Sequence, residues 1–64
     1  MTNPEFRVKV KTDVLNVRSG PSTRYGITTQ VLNGQVYTIV DTQDGWGKLK
    51  SGAGWISLDY TAKC

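Results

Sequence analysis

Turn-forming clusters recur through this chain too often for a helix of useful length to fit between them. Ser19-Gly20-Pro21-Ser22, Asn33-Gly34, Asp44-Gly45 and Ser51-Gly52-Ala53 cut it into short segments. Gly, Asn and Asp supply positive φ and Pro removes a backbone donor, so each cluster ends a regular run. Between the clusters the apolar residues alternate. Phe6, Val8 and Val10 interleave with Arg7, Lys9 and Lys11, a period of two that marks a strand buried on one face and wet on the other. Leu15 and Val17 resume the inward pattern around Asn16, and a long turn-rich excursion then returns through Ile27 to Val31. Asn33-Gly34 is the strongest short reversal signal, because both residues tolerate the positive φ of a tight hairpin. Gln35 to Asp41 is rich in β-branched and aromatic residues, with Tyr37 and Ile39 as inward candidates. From Trp46 to Lys50, Gly47 and Leu49 share one face while Trp46, Lys48 and Lys50 share the other. Gly54 to Ser57 forms a short strand, and Leu58-Asp59-Tyr60 one tight helical turn. Short strands with turns every 8–12 residues or so predict a small all-β barrel or sandwich.

The chain has 64 residues, enough for one domain. A domain this short buries only about 60% of its unfolded surface, so its core is thin. Many small folds add a disulfide or a metal, but Cys64 is the only cysteine and there is no histidine. Strand pairing and a few apolar side chains must therefore suffice, with no metal and no cofactor implied. The expected core is Val8, Val10, Leu15, Val17, Ile27, Val31, Tyr37, Ile39, Leu49 and Ile56, with part of Trp55.

The same inventory argues against catalysis. A serine nucleophile needs a positioned base, and no histidine is present to supply one. Cys64 lacks an activating partner for the same reason. Asp41 and Asp44 flank a turn, where aspartate serves turn chemistry rather than paired acid–base work.

Eight Lys and Arg against five Asp and Glu give a net charge of +3. The excess lies early: Arg7, Lys9, Lys11, Arg18 and Arg24 outweigh Glu5 and Asp13. Later, Lys48, Lys50 and Lys63 balance Asp41, Asp44 and Asp59. A mild one-sided field favours anionic polymers. It is too weak and scattered to predict a nucleic-acid partner. No run nears the ~20 apolar residues of a membrane span, so no membrane partner is expected.

Leu15-Asn16-Val17-Arg18-Ser19-Gly20-Pro21-Ser22, then Tyr25, Gly34, Gly45-Trp46 and Gly54-Trp55 form an ordered set. With these spacings the chain resembles the bacterial SH3-type (SH3b) domain over residues 8–61. The resemblance implies an SH3-like antiparallel barrel of five to six strands with a long RT-type loop. The strand from Phe6 to Val10 would close it. Residues 1–5 would be a leader or linker, residues 6–61 the domain and residues 62–64 a tail.

Such domains are typically appended to peptidoglycan hydrolases: amidases, endopeptidases, muramidases and phage lysins. The implied function is a non-catalytic module, monomeric by default, that holds a linked catalytic domain on peptidoglycan or an associated anionic wall polymer. That would place it outside the cell or in the wall, within a larger secreted or phage-released protein. One departure is Gly47, where the family often carries a bulky residue after the first Trp. Either a neighbouring ring fills that space or the site is shallower.

The tail also resembles the eukaryotic SH3 pattern. Asp44-Gly45-Trp46 sits where that family places its ligand-stacking Trp, and Ser57 and Tyr60 fall where it places its groove Pro and Tyr. The Pro is missing, and the loop that would be acidic carries Arg18 and Arg24 instead. A basic Pro-rich ligand would meet like charge there.

The candidate ligand residues are Trp46, Tyr60, Tyr25, Arg24, Arg18, Ser57 and Asp44. Trp46 shares its strand face with lysines that resist burial, which suits stacking on a ligand; the alternative is a ring packed over the barrel rim. Arg18 either hydrogen-bonds carbonyls of its own loop or contacts ligand. Arg24 has a fork suited to a carboxylate or phosphate, or is a solvated loop charge. Asn16 is expected to tie down the adjacent loop. Two other function classes stay open: a peptide-binding adaptor using the same groove, and a structural module packing on its own catalytic domain.

Overall fold

A computed structural model describes residues 5–64. Residues 1–4 of the expected leader lie outside the described residues. Seven strands form: β1 (Phe6–Val10), β2 (Val14–Arg18), β3 (Ile27–Leu32), β4 (Val36–Gln43), β5 (Trp46–Leu49), β6 (Trp55–Ser57) and β7 (Thr61–Lys63). One 3-10 turn, Leu58–Tyr60, separates the last two. All pairings are antiparallel, in the order β3-β2-β6-β5-β4-β1-β7. The expected SH3-like all-β architecture is present, with one or two more strands than predicted. No helix among the described residues is long and apolar enough to cross a membrane.

Alternation sets the core. Val8, Val10, Leu15, Val17, Val31, Ile39, Leu49 and Ile56 are each at most 6% exposed. Phe6, Tyr37 and Leu58 pack against this cluster while partly open. Tyr37 keeps its polar end satisfied, its hydroxyl donating to Gln35 Oε1 at 2.7 Å. Ile27 departs from expectation and is 52% exposed. The β2–β3 register shifts between Val17 and Arg18, so β3 carries an extra residue there. A bulge of this kind re-aims the strand and breaks the alternation. β3 is also the last strand of the sheet, and only Val31 along it is buried.

The turns exchange roles relative to the sequence reading. Asn33-Gly34 does not close a hairpin, because β3 and β4 are not neighbours. Only Gly34 has positive φ, at 87°. The turn passes over the end of β1, with Gly34 donating to the Val10 carbonyl and Val10 to that of Gln35, both at 2.9 Å. The true two-residue hairpin is Asp44-Gly45, closed by the Gln43–Trp46 pair. Both turn residues have positive φ, 51° and 83°. That double left-handed geometry matches the right-handed twist of the flanking strands.

β1 does not end the sheet. It lies between β4 and β7, and β7, which takes in two of the three residues expected as a tail, pairs with Val8, Lys9 and Val10. β2 meets β6 through a single register pair, Arg18 with Trp55. Gly54 makes that joint possible. It holds φ at 140°, and a Cβ there would strike the Arg18 carbonyl oxygen. The Thr28 hydroxyl spans the same junction, donating to the Ala53 carbonyl at 2.8 Å.

Two substitutions separate these roles. Gly54→Ala combines a backbone region closed to side chains with a backbone clash and should cost about 2–4 kcal/mol, most of a small domain's stability. Gly52→Ala, with positive φ but open space around it, should cost about 1–2 kcal/mol. Urea midpoints that coincide for the two would contradict the close-approach argument. For the turns, Asp44→Ala should cost about 1 kcal/mol and Asn33→Ala under about 0.5 kcal/mol, the reverse of what a hairpin at Asn33-Gly34 requires.

Candidate functional site

The joint between β2 and β6 leaves a groove of about 600 Å³ on the outside of the barrel. Because Leu15 and Val17 point inward, Val14, Asn16 and Arg18 face outward, and all three line one wall. The other wall comes from Trp46, Ser57, Asp59 and Tyr60. Thr12 and Thr23 complete the lining, together with the edge of Leu15.

Trp46 reaches the groove because Gly47 and Leu49 take the inward positions of β5. Its partner in register is Ser57, which places the end of β6 beside it. The hairpin tip is tied to the 3-10 turn, the Leu58 amide donating to the Gly45 carbonyl at 2.9 Å. Gly47 matters through the space it leaves. A Cβ there would stand 2.8 Å from Leu58 Cδ2 and 3.0 Å from Ile39 Cγ2. The Leu58 and Ile39 side chains fill the room that a bulky residue at this position would need. The absence of bulk at Gly47 therefore seats the turn bearing Asp59 and Tyr60 close against β5. Tyr60 itself is 55% exposed.

Four of the seven candidate residues converge here: Trp46, Tyr60, Arg18 and Ser57. Arg18 has the loop-bonding role, Nη1 donating to the Tyr25 carbonyl at 2.9 Å. It also lines the groove, so one side chain braces the long loop and presents its remaining N–H groups. Tyr25, Arg24 and Asp44 do not line the groove. The Tyr25 ring lies flat on Gly20, whose missing Cβ leaves the room. Arg24 is exposed, and its backbone amide donates to Ser22 Oγ at 3.2 Å. Asp44 serves the hairpin. Asn16 ties β2 to β3 rather than to the loop, accepting from Gln30 Nε2 at 2.9 Å.

Thr12, Val14, Thr23 and Asp59 join the groove without being among the expected residues. Strand alternation points to Val14, since it shares the outward face with Asn16 and Arg18. Thr23 and Asp59 depend on how the loop and the 3-10 turn fold back, which carries no local signal. The formal charges of the groove balance, with Arg18 against Asp59.

A family model described as bacterial SH3 domain matches residues 13–62. The chain is also 42% identical over 54 residues to the Bacillus subtilis (strain 168) protein named "Putative N-acetylmuramoyl-L-alanine amidase YrvJ". That match covers 84% of this chain and 10% of the relative, so the chain spans about a tenth of the relative's length. Residues 13–62 contain strands β2 to β6 and every residue lining the groove except Thr12. The chain belongs to the bacterial SH3 domain family.

Proposed function

We propose that the chain is a non-catalytic module that binds peptidoglycan and targets a linked wall hydrolase, such as an amidase, to its substrate. The observation that carries this reading is the convergence of Trp46 and Tyr60 on one wall of an open groove, with Arg18 on the other. Two partly exposed rings offer flat apolar faces to sugar or peptide, while the Arg18 fork and the Ser57 hydroxyl orient polar groups. The kinship to a protein named as an amidase, over a tenth of its length, supports a module within a larger enzyme. No polar or charged residue is buried among the described residues, which supports holding rather than chemistry. Work outside the cell or in the wall follows from that substrate.

The mechanism is avidity. A dense polymer offers many copies of the ligand, so one weak site raises the local concentration of whatever is linked to it.

Pull-down of the labelled chain with purified Gram-positive sacculi tests the proposal. Trp46→Ala and Tyr60→Ala should each weaken binding about tenfold, as removal of a central aromatic ring does. Arg24→Ala, outside the groove, should stay within about twofold. Equal losses for all three would move the site to the long loop. No binding to any sacculus would sink the targeting role and favour packing against a catalytic domain.

A further inference from the structure

The net charge of this chain does not reside in its groove, where Arg18 and Asp59 balance. It collects on β1. Val8 and Val10 are buried, which turns Arg7, Lys9 and the following Lys11 to the outside, and all three are exposed. Two residues of strand separate each cation from the next, about 6.6 Å. That is less than the Debye length of about 8 Å at physiological salt, so the three act as one field.

None of the three is in an ion pair among the described residues. The register partners are Thr38 for Arg7, and Val36 and Ala62 for Lys9. A carboxylate at any of these positions would favour the sheet through a cross-strand pair. Glu5, two residues before Arg7, is already held by Lys50 at 3.0 Å, the one ion pair among the described residues. Asp13 lies beyond Thr12 in the β1–β2 connection. Lysines on an edge strand often guard against pairing with other chains. That explanation does not fit here, because β1 lies between β4 and β7.

The row ends at the groove. The Lys11 amide donates to the Tyr60 carbonyl at 2.8 Å, and the next residue, Thr12, lines the groove. β1 also lies outside the residues matched by the family model, which begin at 13. The family match therefore does not extend to the row.

We infer that Arg7, Lys9 and Lys11 form a second binding site, for a flexible phosphodiester polymer, that runs into the rim of the groove. Resting on the proposed wall-binding role, the occupant is the anionic phosphate polymer attached to the wall. The groove holds the uncharged or zwitterionic part of the wall, and the row holds the polyanion alongside it. Pairing with three phosphates adds affinity that falls steeply with salt, while the groove contribution does not.

The test uses the triple variant Arg7→Gln/Lys9→Gln/Lys11→Gln, with Lys48→Gln as an exposed cation off the row. Circular dichroism establishes that each is folded. If the triple variant fails to fold, Lys9→Gln alone replaces it. Binding is measured against native sacculi, sacculi stripped of phosphate polymer by hydrofluoric acid, soluble inorganic polyphosphate and single-stranded DNA, over a range of salt.

The triple variant should bind native sacculi several-fold more weakly and bind stripped sacculi as the parent does. Its slope of log affinity against log salt should be shallower by about 2, near 0.7 for each phosphate no longer neutralised. Lys9→Gln should give about a third of that change. Tyr60→Ala should weaken binding to both kinds of sacculi. Native binding by the triple variant equal to that of the parent would overturn the site. So would a Lys48→Gln effect of the same size. Parent binding that is unchanged by stripping, or tighter to DNA than to native sacculi, would overturn the wall polymer as its occupant. If no sacculus binds at all, the targeting role fails. Polyphosphate then decides the row by itself: binding abolished in the triple variant retains it, and binding unchanged removes it.

Discussion

The structure depends on the narrow joint between β2 and β6. One register pair, Arg18 with Trp55, links the β2–β3 ladder to the five strands beyond it. Gly54 permits the approach, because its place against the Arg18 carbonyl leaves no room for a side chain. A single core then forms across both parts. Leu15, Val17 and Val31 come from one side, and Ile39, Leu49 and Ile56 from the other. The groove sits over the same joint and takes a wall from each side. Site and fold therefore share one constraint. A change that separates β2 from β6 opens the core and dismantles the groove together.

This arrangement suits binding without catalysis. Catalytic groups usually need burial to shift their acidity, and a domain of this size has little interior to offer. Its surface can still present broad, weakly polar faces. The partly exposed rings of Trp46 and Tyr60 line such a face beside Ser57 and Arg18. Arg18 is held by its bond to the loop, so contact with a ligand would cost it less freedom. Weak affinity is tolerable where the ligand is a polymer and the module is one part of a larger chain.

Much of this is legible in the residues. The expected core contains all eight buried positions, most of them placed by strand alternation, because a half-buried strand has only two faces. It also places Trp46 outside and Gly47 inside. Ile27 escapes it because a bulge breaks the alternation, and no residue near Thr28 announces the extra position. Asn33-Gly34 reads as a hairpin because dipeptide chemistry reports tolerance of positive φ, not which strands are neighbours. That is a property of topology, and topology routes β4 to β1 instead. β7 is hidden because three residues are too few to show a period. In the groove, Trp46, Tyr60, Arg18 and Ser57 are accessible to sequence, whereas Tyr25 and Arg24 are drawn in by their loop. The loop folds so that Thr23, and neither of them, meets the groove.

The central claim is that the ligand lies across the β2–β6 joint. The most direct measurement is an amide and indole NMR titration of the isolated chain with soluble peptidoglycan fragments. The account predicts shifts at the Trp46 indole N–H and at the amides of Asn16, Arg18, Ser57 and Tyr60, saturating together with one affinity. Shifts confined to Arg24, Tyr25 and their loop, or no shifts with any fragment, would contradict it.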